Sequence, residues 1–244
     1  MKTAILLYGL TSYLIGVIGL ASIIGAVAGF IPFGYMKILP ADDVNPWFWN
    51  LALVAVWGFI HSFTARPGFK KQLTRIVPEP AERSTYILVS GITSVALIGL
   101  WQVIPGHVWS LEFTPVVFMV WSLFIFGWVF LLASTFAINH FDLFGLRQVY
   151  LNFRNQERPP LQFTERLMYR YMRHPIQTGV LIGIWATPSM SLTQVGLSLG
   201  FTVYIVVGLW FEERDLVTEH GDTYRRYRER TGSVIPRLGR SVGL

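Results

Sequence analysis

The sequence predicts an all-α, polytopic integral membrane protein of about six transmembrane helices, with the N- and C-termini cytoplasmic. Three observations predict it. The chain is 52% hydrophobic and only 14% charged, far from the soluble average. Its apolar residues gather in runs near the roughly 20 residues that one helical crossing needs. Its 20 Lys and Arg residues avoid those runs and collect in alternate loops.

In chain order, the first apolar run goes from Thr3 to Pro32. Lys2 before it and Ala26-Val27-Ala28 near its end resemble a signal peptide, but the run exceeds the roughly 7–15 residues of a signal core. It reads as a membrane helix, whose glycines at 9, 16, 19, 25 and 29 fit either close helix packing or ordinary membrane usage. A loop over 33–46 holds Pro40, Asp42, Asp43 and Pro46. Trp47 and Trp49 then open a second span that ends near His61-Ser62, as suits aromatics at the lipid–water boundary. A basic segment to Ser84 leads into a third span, Thr85–Val103, and a short loop with His107 and Glu112. The fourth span is Pro115–Ala137. The polar segment 139–173 follows, with Arg166, Arg170 and Arg173 at the spacing of one helical face, which predicts a short interfacial helix. The fifth and sixth spans are Pro175–Ser191 and Val195–Phe211.

Six spans place Lys2 and the basic residues of 64–84, 139–173 and 212–244 on one side, and only Lys37 on the other. That asymmetry marks the basic side as cytoplasmic. The expected setting is a bacterial cytoplasmic (inner) membrane. It also explains the net charge of +6 without nucleic acid. The absence of cysteine excludes disulfides, thiolate metal sites and cysteine nucleophiles. No histidine spacing suits a metal, and none is expected. The expected organisation is one integrated domain: a four-helix part over 1–138, then over 139–244 a cytoplasmic loop, a transmembrane hairpin and a C-terminal segment.

The candidate chemistry lies in the last third. Arg173-His174-Pro175 is followed by a long apolar stretch and then by Glu212-Glu213-Arg214-Asp215-Leu216. The stretch fits two crossings joined by a hairpin, so both polar clusters return to one membrane face. Gly221, Tyr224, Tyr227 and Pro236 follow. This series resembles the isoprenylcysteine carboxyl methyltransferase family of membrane enzymes. The resemblance implies S-adenosyl-L-methionine as cofactor. It also implies that Arg173 and His174 lie against the cofactor with Tyr169 and Gly179, and that Glu212 or Glu213 binds it or a pocket arginine. One departure is Gln177, where the family carries an aromatic. There is no Gly-x-G-x-x-G fingerprint, so a Rossmann domain is not expected. Pro175 suits the first turn of a helix, whose open N–H groups would receive the cofactor's carboxylate. Tyr224 and Tyr227 either cover the cofactor by stacking and cation–π contact or anchor the chain at the interface. The competing reading of both clusters is a basic helix entry and helix-end carboxylates paired with nearby arginines.

A second, narrower resemblance covers most of the chain. It rests on His61-Ser62-Phe63-Thr64-Ala65-Arg66-Pro67, on Val77-Pro78-Glu79-Pro80-Ala81-Glu82-Arg83-Ser84-Thr85-Tyr86, and on the run from Ser134 through Asn139, His140 and Asp142 to Gln148. These segments are similar to those of the membrane-bound methanethiol S-methyltransferases, which implies methylation of a small thiol to its thioether. A thiol is mostly protonated at neutral pH, so its proton needs an acceptor. His140 with Asp142 as its orienting partner is one candidate base, Asn139 stands beside them, and His61 is the other. Arg83 or Arg147 would stabilise thiolate directly. Helix capping by Asn139, His140 and Asp142, and a helix-to-helix hydrogen bond from His61, are the structural alternatives. A methyltransferase for a prenylcysteine carboxylate or a lipid headgroup, and a non-enzymatic membrane protein, are the competing functions. Transporters place ionisable residues within spans, and these spans are nearly free of charge.

Overall fold

The computed structural model describes residues 1–37, 44–159 and 165–237. Pro40, Asp42 and Asp43 of the first predicted loop and residues 160–164 of the polar segment lie outside the described residues. The elements run α1 (Lys2–Val27), α2 (Pro46–Ala65), α3 (Pro67–Leu73), α4 (Glu82–Gly99), β1 (His107–Ser110), α5 (Thr114–Ile138), α6 (His140–Leu143) and α7 (Leu146–Arg154). They continue with α8 (Pro175–Trp185), β2 (Ser189–Ser191), α9 (Leu192–His220) and α10 (Asp222–Arg230). Among the described residues, α1, α2, α5 and α9 are long and apolar enough to cross a membrane. Leu7, Phe59, Ile125 and Val203 on these helices are exposed, as side chains that meet lipid are. The chain is a helical integral membrane protein.

Local signals account for several helix starts. Pro46 opens α2, and the side chain of Asn45 caps it by accepting from Trp47 N at 2.9 Å. Pro115 lies in the first turn of α5 and Pro175 in that of α8. The 11 residues of α8 rise about 16 Å, half a bilayer core.

The chain divides into two compact units. The first takes its described residues from Met1–Ser110, His140–Leu161 and Ser189–Gly200. Its centre is α1 against α4, where Gly19 and Gly91 bring the backbones so close that a Cβ on Gly19 would stand 2.6 Å from the Gly91 Cα. Tyr8 donates to Thr85 Oγ1 at 2.9 Å across this pair. α2 joins it through Trp57 Nε1, which donates to Ser94 Oγ at 3.1 Å. α7 packs on α1. β1 and β2 form a short antiparallel pair, His107 opposite Ser191 and Ser110 opposite Ser189. The reading of 104–114 as loop alone is thus corrected: the two segments satisfy each other's backbone groups.

The second unit takes its described residues from Leu111–Asn139, Gln162–Pro188 and Phe201–Leu244. α5 and α8 pack through Gly127 and Gly179; a Cβ on Gly179 would meet the Gly127 carbonyl oxygen at 2.6 Å. The expected interfacial helix over 166–173 does not form. Only a 3₁₀ turn, Leu167–Arg170, is present, and beyond it Met172 makes a parallel bridge to Gly232. The Pro175 ring disfavours helical backbone at His174, which adopts φ −126° and ψ 58°. Arg173 N and His174 N donate instead to the carbonyls of Gly232 and Ser233, at 2.9 and 3.2 Å.

Candidate active site

In the second unit the two motifs flanking the apolar stretch meet at Glu213. The final turns of α9 carry Glu212 and Glu213, and the entry to α8 carries Arg173 and His174. Arg173 Nε and Nη2 both lie 2.7 Å from Glu213 Oε1. Its Nη1 donates to the Thr231 carbonyl at 2.6 Å and to that of Arg228 at 3.3 Å. His174 Nε2 lies 3.1 Å from the same Glu213 oxygen, which an ionised carboxylate allows only if Nε2 carries the proton. Arg228 Nε faces the other Glu213 oxygen at 3.4 Å. Glu213, rather than Glu212, therefore gathers the charges. Glu212 is half-exposed, with Oε2 3.9 Å from His174 Nδ1.

The cluster is largely withdrawn from water. The Arg173 and Glu213 side chains are 10% and 16% exposed. Burial holds the His174 imidazole below its ordinary value, and the adjoining Glu213 works against that shift. Tyr224 and Tyr227 of α10 are almost fully buried beside each other, with ring centroids 5.8 Å apart. Burial and the Glu213 charge push the Tyr224 phenol up to about 12. The Tyr227 hydroxyl donates to the Tyr169 carbonyl at 2.6 Å, and both phenols are raised, chiefly by burial. Pro175 is buried at the head of α8, and the first intrahelical bond there is Thr178 N to His174 O. The N–H groups of Ile176 and Gln177 precede that bond. Gly179 makes its close contact with α5. Beside the cluster, Arg173, Arg228 and the 231–237 segment line an open hollow of about 520 Å³. Thr231, Gly232 and Ser233, which supply backbone oxygens, escaped sequence reasoning because backbone partners leave no mark in residue type.

In the first unit the two candidate bases sit in aromatic surroundings. His140 is 4% exposed, and its Nε2 lies 3.0 Å from the Tyr13 hydroxyl. Its ring stacks on Phe144 at 4.6 Å. Burial lowers its imidazole below the ordinary value, which keeps it neutral and able to accept a proton. Asp142 is also buried, but its carboxylate is engaged by Arg158, at 3.1 Å from Oδ1 and 3.2 Å from Oδ2. His61 Nε2 lies 2.8 Å from the Tyr86 hydroxyl, and its ring stacks on Trp57. The Arg83 guanidinium lies over Tyr86, 4.6 Å from the ring centre, and Arg83 Nε donates to the Leu143 carbonyl at 2.6 Å. Arg83 thereby joins the His61 group to the end of α6, the short helix that His140 opens. Asn139 sits at the end of α5 in extended backbone, its N–H on the Thr135 carbonyl. Tyr13 and Tyr86 were not anticipated: Tyr13 is 127 residues from His140, and nothing in its own neighbourhood signals the pairing.

A frame of apolar helices with buried ionic and imidazole groups gathered near helix ends defines a helical integral membrane protein. The chain belongs to the NnrU protein family, which it matches over residues 50–242. It is 39% identical over 232 residues to methanethiol S-methyltransferase of Mycobacterium tuberculosis (strain ATCC 25618 / H37Rv), covering 95% of each chain. It is 36% identical to methanethiol S-methyltransferase of Crocosphaera subtropica (strain ATCC 51142 / BH68), over 98% of this chain and 94% of that one. Methanethiol S-methyltransferase 2 of Bradyrhizobium diazoefficiens is 37% identical, over 97% and 92%. The narrower of the two sequence resemblances is thereby borne out. No solved structure matches.

Proposed function

We propose that this protein transfers a methyl group from S-adenosylmethionine to a small thiol, methanethiol giving dimethyl sulfide, at the cytoplasmic side of the membrane. The observation that carries it is the Glu213 cluster, in which Arg173, His174 and Arg228 converge, in a chain whose relatives bear the methanethiol S-methyltransferase name. The donor set fits the amino-acid end of the cofactor. Glu212 and Glu213 suit its ammonium group, while Arg228 and the first-turn N–H groups of α8 suit its carboxylate. The adjoining hollow is within the usual size range of ligand sites. When bound, S-adenosylmethionine supplies a methyl group on a sulfonium sulfur.

The chain's own residues bind, orient and handle the proton. Arg173 holds Glu213 in place with two nitrogens, so its second oxygen faces Arg228. His140, kept neutral by burial, accepts the thiol proton at a ring nitrogen, with His61 as the second candidate. As the new C–S bond forms and the sulfonium C–S bond breaks, the thiolate charge and the sulfonium charge cancel. Apolar surroundings favour that step.

The proposed topology has six membrane segments and cytoplasmic termini in a bacterial inner membrane. α4 and α8 supply the third and fifth, and Ala186–Pro188 and Met190, which are buried, continue α8 as shielded non-helical backbone. Purified protein given S-adenosylmethionine and methanethiol, with headspace detection of dimethyl sulfide, tests the reading. Turnover is expected, with no ester from a prenylcysteine analogue run in parallel. Product from the analogue alone would transfer the function to larger membrane substrates. Absence of product and of cofactor binding would refute enzymatic methyl transfer.

A further inference from the structure

Directly after the His140 cluster, where Gln148 Nε2 donates to the Asp142 carbonyl at 2.9 Å, α7 presents an outer face that the proposed function does not use. Its inner side is set by Gln148 and Val149, both buried, and Val149 fits the space left by Gly9 of α1. Its far end reaches the start of α1, where Lys2 Nζ donates to the Asn155 side chain. Between them, these two contacts lay α7 across the first turns of a helix long and apolar enough to cross a membrane. In a bilayer crossed by α1, the level of those first turns is the boundary between hydrocarbon and water.

The outward side has the composition of such a boundary. Tyr150 and Phe153 are 52% and 40% exposed, Arg154 is exposed and Arg147 half-buried. No Asp or Glu occurs between Phe144 and Gln156. Aromatic rings settle at the depth of the headgroups, while guanidinium groups favour their phosphates. Two helical turns separate Arg147 from Arg154, about 10 Å, so the two reach separate headgroups. Lys2 adds a third cation at the same end.

We propose that this face of α7 binds the headgroups of anionic phospholipids in the leaflet reached by the Lys2 end of α1. Basic residues near a membrane surface favour anionic over zwitterionic lipid by about fivefold each. The partner is a lipid surface rather than a protein because the face lies at the level where the adjoining helix leaves the bilayer.

Two measurements on the full chain test this. First, the protein is equilibrated in mixed micelles of phosphatidylglycerol and phosphatidylcholine, and the lipid retained through gel filtration is counted. Enrichment of phosphatidylglycerol is expected, with an Arg147→Gln/Arg154→Gln double variant losing about fivefold or more of it. No enrichment, or equal enrichment in the variant, overturns the proposal. Second, the cysteine-free chain permits a single nitroxide at Phe153→Cys. In phosphatidylglycerol vesicles it should collide with oxygen in preference to a water-soluble nickel chelate. Nickel access equal to that of a label in water means a solvated face, and spin–spin coupling between copies means that a second chain covers it. Either result overturns the proposal.

Discussion

Glu213 shows how much one carboxylate can organise: Arg173, His174 and Arg228 all turn toward it. Glu213→Ala leaves Arg173 buried beside a missing charge, and removing one partner of a buried pair costs about 3 kcal/mol. Thermal unfolding in detergent should register that loss, and calorimetry should show weakened S-adenosylmethionine binding. Wild-type affinity in both this variant and Arg173→Ala would remove the proposed cofactor site. His140→Ala is expected to lower turnover by about 100-fold while cofactor affinity stays near wild type. Unchanged turnover would end its role as base. His140 and His174 also set a pH dependence, since burial holds both below the ordinary imidazole value of about 6.5. Below that value the unfolded chain binds protons that the folded chain refuses. The stability these residues contribute is complete above about pH 6.5 and is lost as the pH falls toward their folded values. A series of melting curves between about pH 8 and about pH 5 should slope that way, and a flat series would contradict it.

At the scale of elements, helices approach where glycines meet. Gly91→Val forces a branched side chain into the backbone of α1, and overpacking of this kind costs about 1–3 kcal/mol. A lowered melting midpoint is the expected outcome, and an unchanged one would mean that α1 and α4 separate without cost. The glycines of α1 were visible in the sequence, but their partners were not, because helix contact depends on which faces meet. The helix start at Pro175 was legible, since proline in a first turn is a local signal, whereas Pro46, assigned to the loop before the second span, is itself the first residue of α2. The 40-residue step from Arg173 to Glu213 was legible too, because an apolar hairpin must bring its ends back together. The short helix of the polar segment was assigned to 166–173, where arginine spacing pointed, yet the amphipathic helix in that segment is α7. Charge periodicity misled there because Arg173 turns inward to Glu213. Asp142 beside His140 was an equally natural pairing by proximity. The structure shows its carboxylate meeting Arg158, and the His140 imidazole meeting Tyr13 from α1. Contacts of such long range leave no local pattern.

At the scale of the molecule, the basic residues make the orientation testable, because the chain has no cysteine of its own. A single cysteine at Val108 should react with an impermeant reagent from outside intact cells, and one at Asn155 only after the membrane is opened. The reverse pattern, or equal reaction at both, would break the six-segment topology. α9 carries a further consequence. It runs without interruption from Leu192 to His220, so Glu213 stands about 32 Å along a stiff rod from its start. That length is close to the thickness of a bilayer's hydrocarbon layer. The helix therefore works as a ruler. In a thin membrane the carboxylate stands clear in the water, and in a thick one it is drawn toward the acyl chains unless the rod straightens or the lipid yields. Under the proposed function, acyl-chain length becomes a variable of the chemistry.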